Sequence, residues 1–422
     1  MGLRYKLHKA FMEGHIITRA LHRMFENLDD SMGDHYRVKY ANKVKPVPNQ
    51  VFFNSFQGNY TCNPKYICEE LIRRKADVKI VWGLKNPESL PNFGEDVDCK
   101  AYKLNTIEYF EAAIHSKVIV TNGILGARFA TLPVGKKQVA IETWHGSLGI
   151  KRIDEDSYKT TKDWPRAMRR TGKRTTYCMT NSDFEDMVFR TSFWKKTPML
   201  QYGHARNDIF FNNEEKRKKI HDKMVRKFGL TNEKDVHFVI YGPTFRDDHN
   251  FKVYDLDFDK VLDAFEERFG GRWFLLLRYH PTVLIESGFK NEIKSASVFN
   301  VSNYLDIQEL LLIADAGISD YSSWMFDYML TRKPIFVFAL DYAKYKNERG
   351  FYYPLSSTPF AIAENNDELT KAVKAFDNEK YVEGVEAFLK DKGCIEDGNA
   401  SKRIVDLILK VIEDAKKEAS SK

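Results

Sequence analysis

The sequence predicts an α/β protein whose sheets are mostly parallel. From Val51 onward, short apolar runs alternate with segments of helical periodicity, which is the pattern of repeated βαβ units. A second series of the same kind follows a lysine-rich helical segment near 214–228. A chain of 422 residues also exceeds the size of one ordinary core, so we expect two domains.

The segment that precedes these units has a different pattern. In the first thirty residues, Leu3 and Leu7 begin a series of apolar side chains at helical spacing, with arginine and lysine between them. Such a basic amphipathic helix suits an anionic bilayer, and packing against the body of the protein or a second copy explains the pattern equally well. Residues 42–50 contain Pro46 and Pro48 and predict a linker.

Apolar runs bounded by polar turns are the strand candidates of both series. The first series contains runs at 51–53, 78–82, 117–121 and 138–144. The second contains runs at 236–241, 273–277, 316–319 and 334–338. An amphipathic run over 400–415 predicts a helix near the C-terminus.

Composition excludes several classes of function. The net charge of +7 is mild over this length, which suits an anionic ligand or an acidic membrane surface and does not require nucleic acid. The five cysteines are scattered without a Cys-x-x-Cys pair, so we expect neither disulfides nor zinc, and a reducing cytoplasm. No P-loop or dinucleotide fingerprint occurs, and no apolar run is long enough for a membrane span. The Asp-x-Asp triplets at 154–156 and 257–259 are interpreted as surface and helix-start features, so no metal is expected.

Polar turns follow the strands of the second series, at the end where open α/β sheets bind ligands. Thr244 and Arg246 follow the first of these strands, and Arg278 and His280 follow the second. Arginine and protonated histidine both stabilise phosphoryl oxygens, so these turns predict an anion site. Solvated arginine–aspartate pairs and a capping histidine are the alternative interpretation.

The most informative stretch is 314–328, where an apolar run ends in a polar turn before a helix. Ser322 and Ser323 open that helix, where the first N–H groups have no partner and the helix dipole is positive. This is a natural position for a phosphate. The alternative is that Asp320 or Ser322 only caps the helix.

A histidine at the end of a strand is the candidate for proton transfer. His145 follows the last strand of the first series and precedes Gly146, which permits a close approach by backbone or ligand. Histidine is the side chain best suited to move protons at neutral pH. The alternative is a histidine that only forms a hydrogen bond to a loop.

Several short motifs occur together and in a fixed order. They are Trp144-His145-Gly146, 203–208, 242–248, 278–281, 320–328, 348–352 and 397–404. The set resembles the CDP-glycerol glycerophosphotransferase family, the teichoic acid primases and polymerases of bacterial envelopes. The resemblance covers roughly residues 50 to 410.

The resemblance implies a GT-B-type architecture, in which two Rossmann-like domains face each other across a cleft. It divides the chain into an amphipathic helical extension and linker over 1–47 and an acceptor-side domain over 48–205. A CDP-donor-binding domain over 206–395 follows, and a helix within 396–422 returns to the first domain.

The resemblance also implies roles for the candidate residues, with CDP-glycerol bound to the second domain without a metal or other cofactor. Two histidines are the predicted catalytic residues: His145 takes the proton of the acceptor hydroxyl, and His280 acts at the diphosphate. The acceptor oxygen attacks the β-phosphorus and CMP leaves, which is catalysis by positioning and electrostatics. The predicted substrate-binding residues are Thr244, Arg246, Arg278, Asp320, Ser322, Ser323, Asp327 and Arg349.

The expected activity is transfer of glycerol phosphate to a polyprenyl-linked or glycan acceptor at the cytoplasmic face of the cell membrane, in teichoic acid or related envelope or capsule synthesis. Ser147-Leu148 and Ala205 depart from the family pattern, which affects the acceptor side of the cleft. A CDP-ribitol donor, a GT-B glycosyltransferase using a nucleotide sugar, and a non-catalytic membrane scaffold are the alternatives. The number of units added and self-association stay open.

Overall fold

The computed structural model describes residues 33, 35–55, 58–123, 132–153, 156–157, 172–192, 194–246, 251–279 and 295–421. Residues 1–32, which hold most of the predicted amphipathic extension, lie outside the described residues, so the extension stays a prediction. A π-helical turn at Arg37–Ala41 precedes two sheets in which every described pairing between strands is parallel. The predicted α/β class with parallel sheets is confirmed.

The first sheet has seven strands in the order β3-β2-β1-β4-β5-β6-β7. Their bounds are β1 Val47–Asn54, β2 Lys79–Leu84, β3 Cys99–Lys103, β4 Ser116–Thr121, β5 Val139–Glu142, β6 Tyr177–Thr180 and β7 Met199–Gln201. The predicted linker is too long, because its last four residues begin β1. Pro48 lies between Val47 and Val51, where the register between β1 and β4 shifts, and proline within sheets is confined to edges, strand starts and such irregular positions.

The second sheet has six strands in the order β10-β9-β8-β11-β12-β13. Their bounds are β8 Val236–Tyr241, β9 Arg272–Leu277, β10 Val298–Asn300, β11 Ala316–Ser319, β12 Ile335–Phe338 and β13 Ala361–Ala363. The central strands are buried along almost their whole length, as expected for parallel strands covered by helices on both faces.

Helices connect the strands and complete the layers. Their bounds are α1 Cys62–Arg73, α2 Ile107–His115, α3 Asp183–Thr191, α4 Glu214–Lys227, α5 Phe258–Phe269, α6 Ile307–Ile313, α7 Trp324–Tyr328, α8 Tyr342–Arg349, α9 Asn366–Lys374, α10 Asn378–Asp391 and α11 Ala400–Ser420. No helix among the described residues combines the length and apolarity that a bilayer span needs.

In both sheets the strand order reverses beside the first strand. The reversal lies between β1 and β4 in the first sheet and between β8 and β11 in the second. In sheets of this topology, ligands bind beyond the carboxyl ends of the strands at the reversal point. Thr244 follows β8 and Ser322 follows β11, so both lie at the reversal point of the second sheet.

The last helix packs on the first sheet rather than on the second. Ile404, Val405 and Ile408 are fully buried, and α11 contacts α1, β1 and β4. The chain therefore crosses from the second half back to the first near its C-terminal end. The domain boundaries at 47/48, 205/206 and 395/396 stay predictions.

Candidate active site

The loop after β5 meets the start of α7, and this contact brings the two halves together. Gly146 and Gly149 lie in the loop, and Ser323 lies across from them. A Cβ atom on Gly149 would lie 3.3 Å from Ser323 Cβ, and one on Gly146 would lie 4.0 Å from Ser323 Oγ. Gly149 permits this close approach because it lacks that atom, whereas 4.0 Å at Gly146 is an ordinary van der Waals distance. The loop that carries His145 therefore lies against the serines predicted to bind phosphate.

Backbone hydrogen bonds extend the contact between the same loop and the segment after α8. The N–H of Tyr352 donates to Ile150 O at 2.9 Å, and the N–H of Arg152 donates to Gly350 O at 3.1 Å. These bonds belong to a short antiparallel bridge between Lys151 and Phe351. The relative position of the loop and α8 is thus set by main-chain atoms.

His145 is half-buried and its tautomer follows from its partner. Its Nδ1 lies 2.7 Å from the carbonyl oxygen of Asn122, so Nδ1 carries the proton and Nε2 carries the lone pair. Burial lowers the pKa of His145 to about 4, and the positive charges of Arg206 and His204 act in the same direction. The imidazole is therefore neutral at physiological pH, the state that a general base requires.

The residue before His145 has a strained backbone. Trp144 has a φ of 51°, which bulky side chains rarely adopt and which costs roughly 1–3 kcal/mol. Its N–H donates to Glu142 Oε1 at 2.9 Å. Glu142 is fully buried at the end of β5, and burial raises the pKa of its carboxyl well above the usual range. The buried Glu142 carboxyl group thus supports the turn that presents His145.

Arg246 is already paired with carboxylates of its own half. Its Nε donates to Asp341 Oδ2 at 2.7 Å, and its Nη2 lies 2.9 Å from Asp320 Oδ2. Asp320 Oδ1 also accepts the backbone N–H of Thr244 at 2.9 Å. This cluster fixes the loop after β8. The hydroxyl of Thr244 is buried there and forms no hydrogen bond to another described residue.

Arg278 differs from Arg246 because its partners are neutral. Its Nη1 donates to the carbonyl oxygens of Tyr304 at 2.6 Å and Val301 at 3.2 Å. No carboxylate of the described residues lies within ion-pairing distance. Burial lowers the pKa of Arg278 to about 10, which leaves it charged at neutral pH. An anionic ligand at the end of β9 would neutralise this cation.

The serine turn leads into a short helix. Ser323 is the N-cap of α7, which has five residues and continues into a 3-10 turn at Met329–Thr331. Neither Ser322 nor Ser323 donates or accepts a side-chain hydrogen bond with another described residue, so neither hydroxyl caps the helix. The capping interpretation of Ser322 therefore does not apply to its side chain.

Asp327 binds two residues of the segment that follows β7 and one residue of α6. Its carboxylate lies 2.9 Å from Arg206 Nη2 and accepts from Asn207 Nδ2 at 3.1 Å and Gln308 Nε2 at 3.4 Å. All four side chains are buried. Arg349 ends α8, and its Nε is buried without a hydrogen bond to another described residue.

His280 lies outside the described residues, as do Asp247 and Asp248. Its predicted catalytic role stays a prediction, and so do the roles of the other candidate residues. Among the residues that the structure describes, no group of three or more histidine, cysteine, aspartate or glutamate side chains is placed to hold a metal ion.

Comparison with known proteins decides the family. The family model of CDP-glycerol:poly(glycerophosphate) glycerophosphotransferases matches residues 35–410. The chain belongs to this family. The predicted resemblance is confirmed.

Named relatives agree with this assignment. A teichoic acid poly(glycerol phosphate) polymerase of Staphylococcus epidermidis is 33% identical over 396 residues, which cover 87% of this chain and 51% of the relative. A teichoic acid glycerol-phosphate transferase of Staphylococcus aureus is 27% identical, over 86% of this chain and 94% of the relative. Two relatives named for ribitol phosphate are 25% identical, and a third is 27% identical over 65% of this chain. The chain thus spans about half the length of the first relative.

A solved structure supports the same conclusion. The wall teichoic acid polymerase TagF, as a histidine-to-asparagine variant soaked with CDPG, matches with a TM-score of 0.77 at 30% identity. The match covers 92% of this chain and 94% of that chain. At this identity and coverage, the two chains share their fold over nearly their whole described length.

Sequence reasoning missed several polar residues that the structure places around the candidate site. Asn63 and Glu396 are far from the strand-end motifs in sequence, and their types alone carry no signal. Arg206 and Asn207 were noticed only as part of a family motif, yet both contact Asp327 in α7.

Proposed function

We propose that this chain is a CDP-glycerol glycerophosphotransferase of the GT-B type. The acceptor hydroxyl oxygen forms a bond to the β-phosphorus of CDP-glycerol, the bond from that phosphorus to the bridging oxygen breaks, and CMP leaves with the electron pair. The hydroxyl proton passes to His145 Nε2. The product is an acceptor extended by one glycerol phosphate, in teichoic acid or related envelope polymer synthesis.

The contact between the His145 loop and Ser323 is the observation that carries this proposal. The loop that carries His145 lies against the start of α7, at the reversal point of the second sheet, which supports a base from the first half acting at that position. Arg278 follows the neighbouring strand β9 and has no carboxylate partner among the described residues. A base, two hydroxyl groups and a cation are the groups that phosphoryl transfer by positioning and electrostatics requires.

The low pKa of His145 suits a site that binds an anion. In the free protein, burial and positive neighbours favour the neutral imidazole. A bound diphosphate adds negative charge, which raises the pKa of the imidazole and strengthens it as a base. Donor binding therefore prepares the base for the acceptor proton.

Glycerol is the favoured alditol because a relative named for glycerol phosphate is 33% identical, whereas the relatives named for ribitol phosphate are 25–27% identical. The expected acceptor is a polyprenyl-linked or glycan hydroxyl, which fits the teichoic acid polymers named for these relatives. Attachment to the cytoplasmic face of the membrane through residues 1–30 belongs to the same proposal. Deleting those residues should abolish binding to anionic liposomes, and unchanged co-sedimentation would contradict it.

A donor screen tests the activity. The purified chain is incubated with a lipid-linked glycan acceptor and either CDP-glycerol, CDP-ribitol or a UDP-sugar, and release of CMP or UDP is measured. The proposal expects acceptor-dependent CMP release from CDP-glycerol that persists in EDTA. Release of UDP alone would instead support a glycosyltransferase.

Two sets of variants assign the residues. His145→Ala should remove nearly all turnover while the donor still binds. Combined Ser322→Ala and Ser323→Ala should mainly raise the KM for CDP-glycerol. If the serine variants changed only the KM for the acceptor, the placement of the donor on the second half would be wrong. If His145→Ala retained full turnover, the assigned base would be wrong.

A further inference from the structure

A buried asparagine in the first turn of α1 contacts the backbone that carries His145. Asn63 is fully buried. Its Nδ2 donates to Thr143 O at 2.8 Å and to Trp144 O at 2.9 Å. Its Oδ1 accepts the backbone N–H of Arg206 at 2.9 Å. Its amide thus bonds three main-chain groups from two separate segments.

The chemistry of these partners fixes the orientation of the amide. A carbonyl oxygen only accepts and a backbone N–H only donates, so the nitrogen must face Thr143 and Trp144, and the oxygen must face Arg206. Aspartate at this position would lose both donors and place a carboxylate against two carbonyl oxygens. Asparagine is therefore the side chain that satisfies all three groups here.

The bonds of Asn63 act on the peptide that joins Trp144 to His145. Trp144 O belongs to that peptide, and Trp144 is the residue whose φ is 51°. Glu142 accepts the N–H on the other side of the same residue. The strained conformation is therefore held from both sides, which is how such conformations persist in folded proteins.

Asn63 also lies between the base and the donor-side helix. Arg206, whose N–H it accepts, pairs through its guanidinium with Asp327 in α7. The start of α7 carries Ser323, which faces the His145 loop. One asparagine thus bonds the base-carrying loop and the segment that anchors α7.

We infer that Asn63 is a positioning residue: it holds the Trp144–His145 peptide so that the imidazole meets the acceptor hydroxyl at the donor phosphate. This inference rests on the proposed function. Asn63 touches no reacting atom in this scheme, so its effect should appear in kcat rather than in donor binding.

Gln138 provides a matched control because it directly precedes β5, at the end of that strand opposite the loop that carries His145. Its Nε2 donates to Ala113 O at 2.7 Å and Ser116 O at 2.6 Å, and its Oε1 accepts the N–H of Gly135 at 2.8 Å. It is buried like Asn63 and bonds two carbonyls and one N–H in the same way. Asn63→Asp and Gln138→Glu therefore make the same chemical change, near His145 and far from it respectively.

The experiment compares both full-length variants with the wild type in two measurements. The first is CMP release from CDP-glycerol, analysed for kcat and donor KM. Because a small misplacement of a reacting group costs on the order of 100-fold in rate, Asn63→Asp should lower kcat about 100-fold. Donor KM should stay within about threefold, and Gln138→Glu should keep both parameters near wild type.

The second measurement does not depend on activity. Diethylpyrocarbonate modifies neutral imidazole, and peptide mapping gives the rate at His145 alone. A released loop exposes the ring, so this rate should rise in Asn63→Asp and stay unchanged in Gln138→Glu. If the wild type released no CMP, the proposed function would fail while this measurement still tested the role of Asn63.

Several outcomes would overturn the inference. Equal kcat in the two variants, or an effect on donor KM alone, would show that Asn63 does not position the base. An unchanged modification rate at His145 in Asn63→Asp would show the same. Asn63→Ala replaces Asn63→Asp if the latter does not fold. If neither folds while Gln138→Glu does, Asn63 serves folding rather than positioning, and the inference is wrong.

Discussion

Replacing Asp327 by asparagine should destabilise the protein far more than it weakens donor binding. The family resemblance suggested that Asp327 contacts the nucleotide or orders the site; its carboxylate lies 2.9 Å from Arg206 Nη2 and accepts from Asn207 and Gln308. Both ions of the pair are buried, with 2% of Asp327 and 5% of Arg206 exposed. Asparagine keeps the shape and leaves the guanidinium without its counter-charge.

The magnitude follows from that burial. Removing one partner of a buried ion pair leaves an uncompensated charge and typically costs about 3–5 kcal/mol. Exposed pairs contribute about 0–1 kcal/mol, so Asp397→Asn, which loses a partly exposed pair with Arg403, is the matched control. Replacing both buried partners, as Arg206→Met with Asp327→Leu, should recover much of the loss because no charge is left buried.

Urea unfolding followed by tryptophan fluorescence gives the free energies of unfolding, and CMP release gives the KM for CDP-glycerol. We expect a loss of about 3–5 kcal/mol in Asp327→Asn with a small change in donor KM. The reasoning is refuted if Asp327→Asn is no less stable than Asp397→Asn. A normal stability with a strongly raised donor KM would return Asp327 to the role that the sequence suggested.

Three further predictions concern charge. If His145 is the base, the acid limb of the pH profile of kcat/KM should lie near pH 4, the pKa of its imidazole. At pH 5.5 such a histidine is about 97% neutral, whereas a histidine of pKa 6.5 is about 9% neutral. An acid limb near pH 6.5 would contradict this assignment. Arg278→Met should lower kcat/KM for the donor about 10- to 100-fold, since hydrogen bonds to charged groups contribute about 1.5–3 kcal/mol, without loss of stability in urea. Burial raises the pKa of Glu396 from 4.5 to about 7, so between these values the folded state holds a proton that the unfolded state releases. The free energy of unfolding should therefore fall as the pH rises through 7. Glu396→Gln should remove this pH dependence from unfolding midpoints measured at pH 5.5 and 8.

The sequence predicted the central strands better than the edge strands. The runs at 236–241 and 273–277 match β8 and β9 because central parallel strands are continuous apolar runs. It did not single out β3, β7, β10 and β13, which lie at sheet edges, or β6, which lies inside the first sheet. In β3 no residue is fully buried, so the hydrophobic pattern that marks a strand is weak there.

At the candidate site, the sequence predicted which residues follow strands but not which distant residues contact each other. Thr244, Arg278, Ser322 and His145 follow strands, and the rule that ligands bind beyond strand ends placed them by position alone. The ion pairs between these side chains could not be predicted from position along the chain, because Arg246 and its partner Asp341 are 95 residues apart. A close contact between such distant segments depends on the packing of the whole second half.

These pairings give the two arginines that follow strands of the second sheet different charge environments. Arg246 contacts two carboxylates, Asp320 and Asp341, so that cluster has no net positive charge to offer a diphosphate. Arg278 bonds only carbonyl oxygens among the described residues, and its charge is available at the same end of the sheet. Arg246 and Arg278 both follow strands in the sequence pattern, but replacing them should therefore have different consequences. We expect loss of Arg246 to leave two carboxylates without their cation and to loosen the loop that carries Thr244, whereas loss of Arg278 removes a cation that has no carboxylate partner in the part of the chain that the structure describes.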